Sequence, residues 1–204
     1  MINTILFDLD GVLVDACDWH YHSLNHALSS FGHSTINKED HMSKYNGLPT
    51  HIKLNMLGIA DDQAKKINNA KQDFTLDVIR KTAEIMPEKI ELHKYLKSNN
   101  IRIGCVTNSI RKTAEEMLSK TGQLEFMDIL ITNEDVSKNK PYPDCYNLAI
   151  DKLNAIGSEV LCVEDSEKGI KAAKASDAKH LLIVEDSSKV NLHTLVTFLK
   201  DFIK

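Results

Sequence analysis

Short apolar runs alternate with helical periodicities along most of the chain. The runs 4–7, 101–106, 129–131, 160–163 and 181–184 are rich in Val, Ile and Leu, as strands covered on both faces require. Between them, Ile110, Ala114, Met117 and Leu118, and later Tyr146, Ala149, Ile150 and Leu153, recur at the spacing of one helix face. Pro87 suits a first helical turn and Gly122 a helix end, while Leu192, Leu195, Val196, Leu199 and Phe202 line a closing amphipathic helix. This alternation predicts an α/β fold, a Rossmann-like parallel sheet with helices on both sides.

Residues 17–83 break the rhythm, because helical patterns follow one another there with no strand-like run between them. Tyr21, Leu24, Ala27, Leu28 and Phe31 share a face and are followed by Gly32, and further helices are predicted over 50–57 and 63–82. The expected organisation is a core of 1–16 and 84–204 interrupted by a small helical domain at 17–83.

Composition narrows the function classes. With 42% hydrophobic residues in 204, the chain can bury a core, and disorder is not expected. The 29 acidic side chains outnumber 25 basic ones and no Lys/Arg run stands alone, so nucleic acid is not an expected partner. Asp8 and Asp10 interrupt the opening apolar stretch and no basic flank precedes it. Neither a signal peptide nor a membrane span fits, and a cytoplasmic protein without a membrane partner is expected. Cys17, Cys105, Cys145 and Cys162 form no C-x-x-C pair and read as reduced, mostly buried thiols. Oligomeric state leaves no signal.

Open parallel sheets bind ligands at the carboxyl ends of their strands, and the polar residues after the runs are coherent. They are Asp8-Leu9-Asp10-Gly11, Thr107-Asn108-Ser109, Glu164-Asp165-Ser166 and, after a short loop, Lys140-Pro141. Taken singly these are a turn, a helix cap, a capped helix start and a solvated lysine. Converging on one edge, the carboxylates repel unless a cation neutralises them, and hard oxygen ligands suit Mg²⁺ with room for a phosphate. His22 and His26 lie four apart on a helix, but no third ligand accompanies them, so a surface role is expected. His20 opens the helical segment, where a hinge or proton-relay role competes with that of an ordinary helix-start histidine.

Four segments, FDLDGVLVD at 7–15, VTNS at 106–109, KPYPD at 140–144 and EDSEKGIKAAKAS at 164–176, occur in this order after predicted strands. In them the chain resembles the haloacid dehalogenase superfamily of phosphotransferases. The helical segment resembles the small cap of the phosphoglycolate phosphatase and β-phosphoglucomutase branch, and Tyr45-Asn46-Gly47-Leu48-Pro49-Thr50-His51 resembles the cap loop that faces the active site there. The alternative reading of that loop is an ordinary turn with Thr50 as a helix cap. The resemblance implies that Asp8 is the nucleophile and Asp10 the general acid and base, and that Thr107, Asn108 and Lys140 bind phosphate. It also implies that Asp8, Asp10 through its carbonyl, Glu164 and Asp165 hold Mg²⁺. Elementary chemistry supports these roles, since a carboxylate in line with a phosphoryl group can form an aspartyl phosphate and a second carboxyl two residues on lies on the same side of an extended segment.

The implied activity is hydrolysis of a small phosphorylated metabolite, such as a sugar phosphate, phosphoglycolate or polyol phosphate. Return of the phosphoryl group to a second hydroxyl, as in a β-phosphoglucomutase, is the alternative. Mutase-type members tend to carry small residues at the 107–109 turn and an arginine in the cap loop, where this chain has Pro49 and Thr50. A non-catalytic phospho-ligand binder is a third reading, opposed by Asp10, which can activate water. Two positions depart from the family pattern. Ala16 stands where Ser or Thr is common, and Asp177 stands near the usual glycine, where a left-handed helix cap is expected.

Overall fold

A computed structural model of the chain describes residues 1–45, 48–200 and 202. In chain order the helices and strands are β1 (Thr4–Phe7), α1 (Cys17–Ser30), α2 (Lys38–Asp40), α3 (Thr50–Met56), α4 (Asp61–Thr82), α5 (Pro87–Ser98), β2 (Arg102–Val106) and α6 (Arg111–Lys120). β3 (Ile129–Ile131), α7 (Asp144–Lys152), β4 (Val160–Glu164), α8 (Glu167–Ala175), β5 (His180–Ile183) and α9 (Leu192–Leu199) follow. The chain divides into two compact units, one of Met1–Asp15 and Glu84–Lys204, the other of Ala16–Ala83.

The first unit holds the sheet. All its pairings are parallel, in the order β3-β2-β1-β4-β5, with β1 central and buried along its length. The predicted α/β core is therefore the observed one. Alternation along the strands assigns each face. Leu6, Val106, Ile131, Val160 and Cys162 share a cluster with Tyr146, Ala149 and Ile150 of α7 and Ala172 and Ala173 of α8. Phe7 points the other way, toward His93 of α5, whose ring meets it edge-on at 6.0 Å.

The second unit is helical. Leu24, Ala27 and Leu28 of α1, Leu54 of α3 and Ile67 of α4 close its core with Ile36 and Ile59. α2 and the π-helical turn His41–Tyr45 after it are too short for periodicity to reveal, although Asn37 caps α2 by accepting from Asp40 N at 2.7 Å. Thr50 is not a cap: Pro49 holds the cap position and makes no side-chain cap bond. Asn46 and Gly47 lie outside the described residues. In the sheet unit, Asp177 is not left-handed either. α8 runs out through Ser176, extended at ψ 175°, and Asp177 N donates to Asn147 Oδ1 at 2.9 Å.

No disulfide forms among the described residues, and Cys105, Cys145 and Cys162 are buried. Among the described residues no helix is long and apolar enough to cross a membrane.

A buried polar relay supports the turn after β1. His93 Nε2 lies 3.0 Å from Gln123 Oε1 and donates to it, and Gln123 Nε2 donates to Leu13 O at 3.2 Å. Burial depresses the His93 pKa from 6.5 to about 4, outweighing the Gln123 bond. Across that window the unfolded chain takes up a proton that the folded chain refuses. The residue's contribution is therefore intact above 6.5 and is lost as pH falls toward 4. Urea unfolding at stepped pH should show the stability of wild type relative to His93→Phe dropping by about 3 kcal/mol across this range; a pH-independent difference would refute the assignment.

Candidate active site

The carboxyl ends of β1, β2 and β4 meet where the strand order reverses, the crevice in which such sheets take ligands. Asp8 directly follows β1 on the row of Leu6, and Glu164 ends β4 on the row of Val160 and Cys162. Both carboxylates are buried, because each continues a core-facing row for one more step. Asp8 N donates to Val163 O at 3.0 Å, which locks the two strand ends together.

Lys140 joins them. Its Nζ donates to Asp8 Oδ1 at 2.5 Å, to Glu164 Oε1 at 2.7 Å and to Val106 O at 2.8 Å, which uses all three protons. The loop is held by a reciprocal pair, Lys140 N to Asn108 Oδ1 at 3.1 Å and Asn108 Nδ2 to Lys140 O at 3.2 Å. Tyr146 donates its hydroxyl to Glu164 Oε1 at 2.6 Å, and its ring centroid lies 4.9 Å from the ammonium. Periodicity shows Tyr146 only as a core residue; the signal for more was its hydroxyl, which needs a partner when buried.

Two glycines make room for carboxylates. Gly11 has φ +88°, and a Cβ there would lie 2.1 Å from Asp165 Oδ2. A Cβ on Gly169 would lie 2.0 Å from the Glu164 carboxylate. Neither position admits a side chain unless the acid moves.

Asp8, Glu164 and Asp165 offer oxygens that all lie within 4.8 Å of one another. The Asp10 carboxylate is not one of that group. Its Oδ2 accepts from Ser109 Oγ at 3.0 Å and Thr107 Oγ1 at 3.4 Å, turning it toward the loop after β2. Thr107 Oγ1 also accepts from Ser109 N at 3.0 Å. Ser109, read from sequence only as part of a turn, thus orients Asp10.

One ammonium faces three converging carboxylates. Burial pushes the Asp8 pKa well up, with Lys140 opposing and Glu164 and Asp10 adding to the rise. Burial and then Glu164 raise Asp165 to about 6. Burial would weaken the Lys140 ammonium, but Asp8 and Glu164 reverse this and keep it charged. Glu164 Oε2 and Asp165 Oδ1 are buried with no hydrogen-bond partner, and such orphaned oxygens are costly unless something else binds them. Clustered hard, anionic oxygens of this kind fit a divalent cation.

The remaining candidates belong to the helical unit. His20 lies on α1 with Nδ1 3.1 Å from Lys71 Nζ, and Tyr45 packs against that unit's core. Thr50 opens α3 and is half-buried, and His51 is exposed. A surface groove of about 600 Å³ lined by Glu91, Tyr95, His193 and Val196 contains none of the strand-end residues.

Residues 5–183 match the haloacid dehalogenase-like hydrolases. The chain belongs to that family, and is a hydrolase of it. A phosphorylated carbohydrates phosphatase of Thermotoga maritima is 25% identical over 183 residues, covering 88% of this chain and 84% of the relative. Pyrophosphatase PpaX of Oceanobacillus iheyensis is 27% identical over 210 aligned positions, covering 99% and 92%. The solved β-phosphoglucomutase of Clostridium difficile superposes with a TM-score of 0.81 at 22% identity, covering 100% of this chain and 99% of its own, and shares the fold.

In this haloacid dehalogenase-like hydrolase the Lys140 ammonium should hold the cluster together. Lys140→Met should cost about 3–5 kcal/mol at neutral pH by urea unfolding, because it leaves buried carboxylates unpaired; a loss under about 1 kcal/mol, the scale of an exposed pair, would refute this.

Proposed function

We propose that the protein is a Mg²⁺-dependent phosphatase that hydrolyses a small phosphate monoester through an aspartyl phosphate at Asp8. The observation that carries this reading is the clamp of Lys140 on Asp8 and Glu164, with an acid held two residues from the nucleophile by Thr107 and Ser109.

A carboxylate oxygen of Asp8 attacks phosphorus, and the bond to the ester oxygen breaks. Asp10, protonated at this stage, passes its proton to the departing alkoxide. In the second half Asp10 takes a proton from water, whose oxygen attacks the phosphorus. Inorganic phosphate leaves and the Asp8 carboxylate is restored. Proton transfer of this kind contributes about 10²- to 10⁴-fold. Lys140, the Thr107 hydroxyl and the Asn108 backbone N–H offset the charge on the transferring oxygens. A Mg²⁺ held by Asp8, Asp165, the Asp10 carbonyl and Glu164 supplies charge neutralisation and Lewis acidity when bound.

The helical unit enters the chain directly after the segment that carries Asp8 and Asp10, and we assign it the role of a cap that excludes water and selects the leaving group. His20 and the 45–51 loop are its candidate contacts. The two relatives named for phosphorylated carbohydrates and pyrophosphate support a phosphorylated small molecule as substrate. The likeness to a β-phosphoglucomutase favours a mutase as the second reading, while Pro49 and Thr50 in the cap loop weigh toward hydrolysis.

A panel of phosphate esters should release phosphate with Mg²⁺ and stop on chelation. Asp8→Asn should abolish turnover, and Asp10→Asn should slow it about 10²- to 10⁴-fold. Undiminished turnover by Asp8→Asn would refute the mechanism. Isomerised sugar phosphate in excess of free phosphate would establish the mutase, and no turnover across the panel would favour the binding reading.

A further inference from the structure

Tyr146 has no part in the chemistry proposed above, yet it touches the residues that do. It is fully buried at the third position of α7, where its ring joins the apolar cluster with Leu6, Val106 and Ile131. A phenylalanine ring would fill that space equally well. What the hydroxyl adds is one hydrogen bond, donated to Glu164 Oε1 at 2.6 Å.

That bond makes the two oxygens of Glu164 unequal. Oε1 accepts from Tyr146 and also from Lys140 Nζ at 2.7 Å, whereas Oε2 is buried and has no hydrogen-bond partner. An ionised carboxylate can accept on both oxygens, so one is saturated by donors while the other is left for a cation. Lys140 alone would not fix this division. Its ammonium is a point donor on a flexible stem, and it is shared with Asp8 Oδ1 and Val106 O. The phenol is rigid, is anchored in the core and donates from a helix. Gly169 completes the seat: a Cβ there would lie 2.0 Å from both Glu164 oxygens, so the carboxylate occupies the space over α8 that a side chain would take.

We propose that Tyr146 is a positioning residue for the divalent cation: by holding Glu164 Oε1 jointly with Lys140, it leaves Oε2 to the ion. The inference rests on the Mg²⁺-dependent reading and deepens it, because it names the group that prepares Glu164 before an ion arrives. Removing a partner that orients a metal ligand typically costs about 10- to 100-fold in metal affinity or activity.

Tyr146→Phe tests this, since it keeps the ring and its place 4.9 Å from the Lys140 ammonium and deletes only the donor. Mn²⁺, which takes the same hard oxygen ligands as Mg²⁺, is titrated into the full chain without substrate, and the free ion is followed by electron paramagnetic resonance. The dissociation constant should be at least about tenfold higher in Tyr146→Phe than in wild type. An affinity equal to that of wild type, or tighter, overturns the proposal. Turnover gives a second readout that a merely structural hydroxyl would not move. The Mg²⁺ concentration for half-maximal rate should rise by about the same factor, with kcat at saturating Mg²⁺ close to that of wild type; an unchanged Mg²⁺ requirement with a lowered kcat overturns it. Should Tyr146→Phe fail to fold, 3-fluorotyrosine in place of Tyr146 keeps the hydroxyl, and its fluorine resonance should shift saturably as Mg²⁺ is added. A resonance that ignores Mg²⁺ overturns the proposal. If wild type binds no Mn²⁺, the cation reading fails and this inference falls with it, whereas equal binding by wild type and variant removes the inference alone.

Discussion

One ammonium between two buried carboxylates is the constraint around which the sheet unit is arranged. Asp8 and Glu164 arrive side by side because β1 and β4 are paired in parallel register and each strand carries its core-facing row one position past the last apolar residue. Left alone, the pair would repel in a medium that screens charge poorly. Lys140 makes the approach tolerable, and the features around it follow. Asn108 holds its loop, Tyr146 takes a share of the Glu164 oxygen, and Gly169 leaves out the side chain that the carboxylate displaces. The compensation is incomplete, since Asp165 adds a third negative group, and this residual imbalance is what a divalent ion would relieve. Enclosing these charges is costly, and the apolar cluster from Leu6 to Ala173 lies beneath them.

Much of this was legible in the sequence. β1, β2 and β4 are largely enclosed and leave unbroken apolar runs, the part-buried edge strands β3 and β5 keep apolar runs as well, and the polar residues that end the runs mark the candidate site. Spacing alone could not reveal which side chains cooperate across the sheet. Ser109 on Asp10 and Tyr146 on Glu164 are contacts between elements 99 and 18 positions apart. The Asp10 carboxylate is held by the hydroxyls of the neighbouring loop, a pairing that the spacing of the motif does not announce. Asp177 was assigned a left-handed cap by analogy with glycine, but the helix leaves through an extended Ser176 and needs none.

The helical unit was harder to read. Its long helices announced themselves, but periodicity reports which positions are apolar and is silent on a polar residue that the fold encloses, such as Lys53 or Lys71. His41 sits in a π-helical turn of five residues, below the length at which any pattern accumulates. Enclosed polar groups are where coordinates add most to a sequence.

Asp8 directly follows the first strand, and its counter-charge on Lys140 lies 132 positions later. As the chain leaves the ribosome, Asp8 emerges long before Lys140 exists. The intervening helices have partners close in sequence and can collapse early, whereas the central strand must wait for neighbours on both sides. Contacts of such long range carry a loop-closure cost that slows their formation. Synthesis therefore leaves the first strand without its pairing partners until β2 and β4 have emerged.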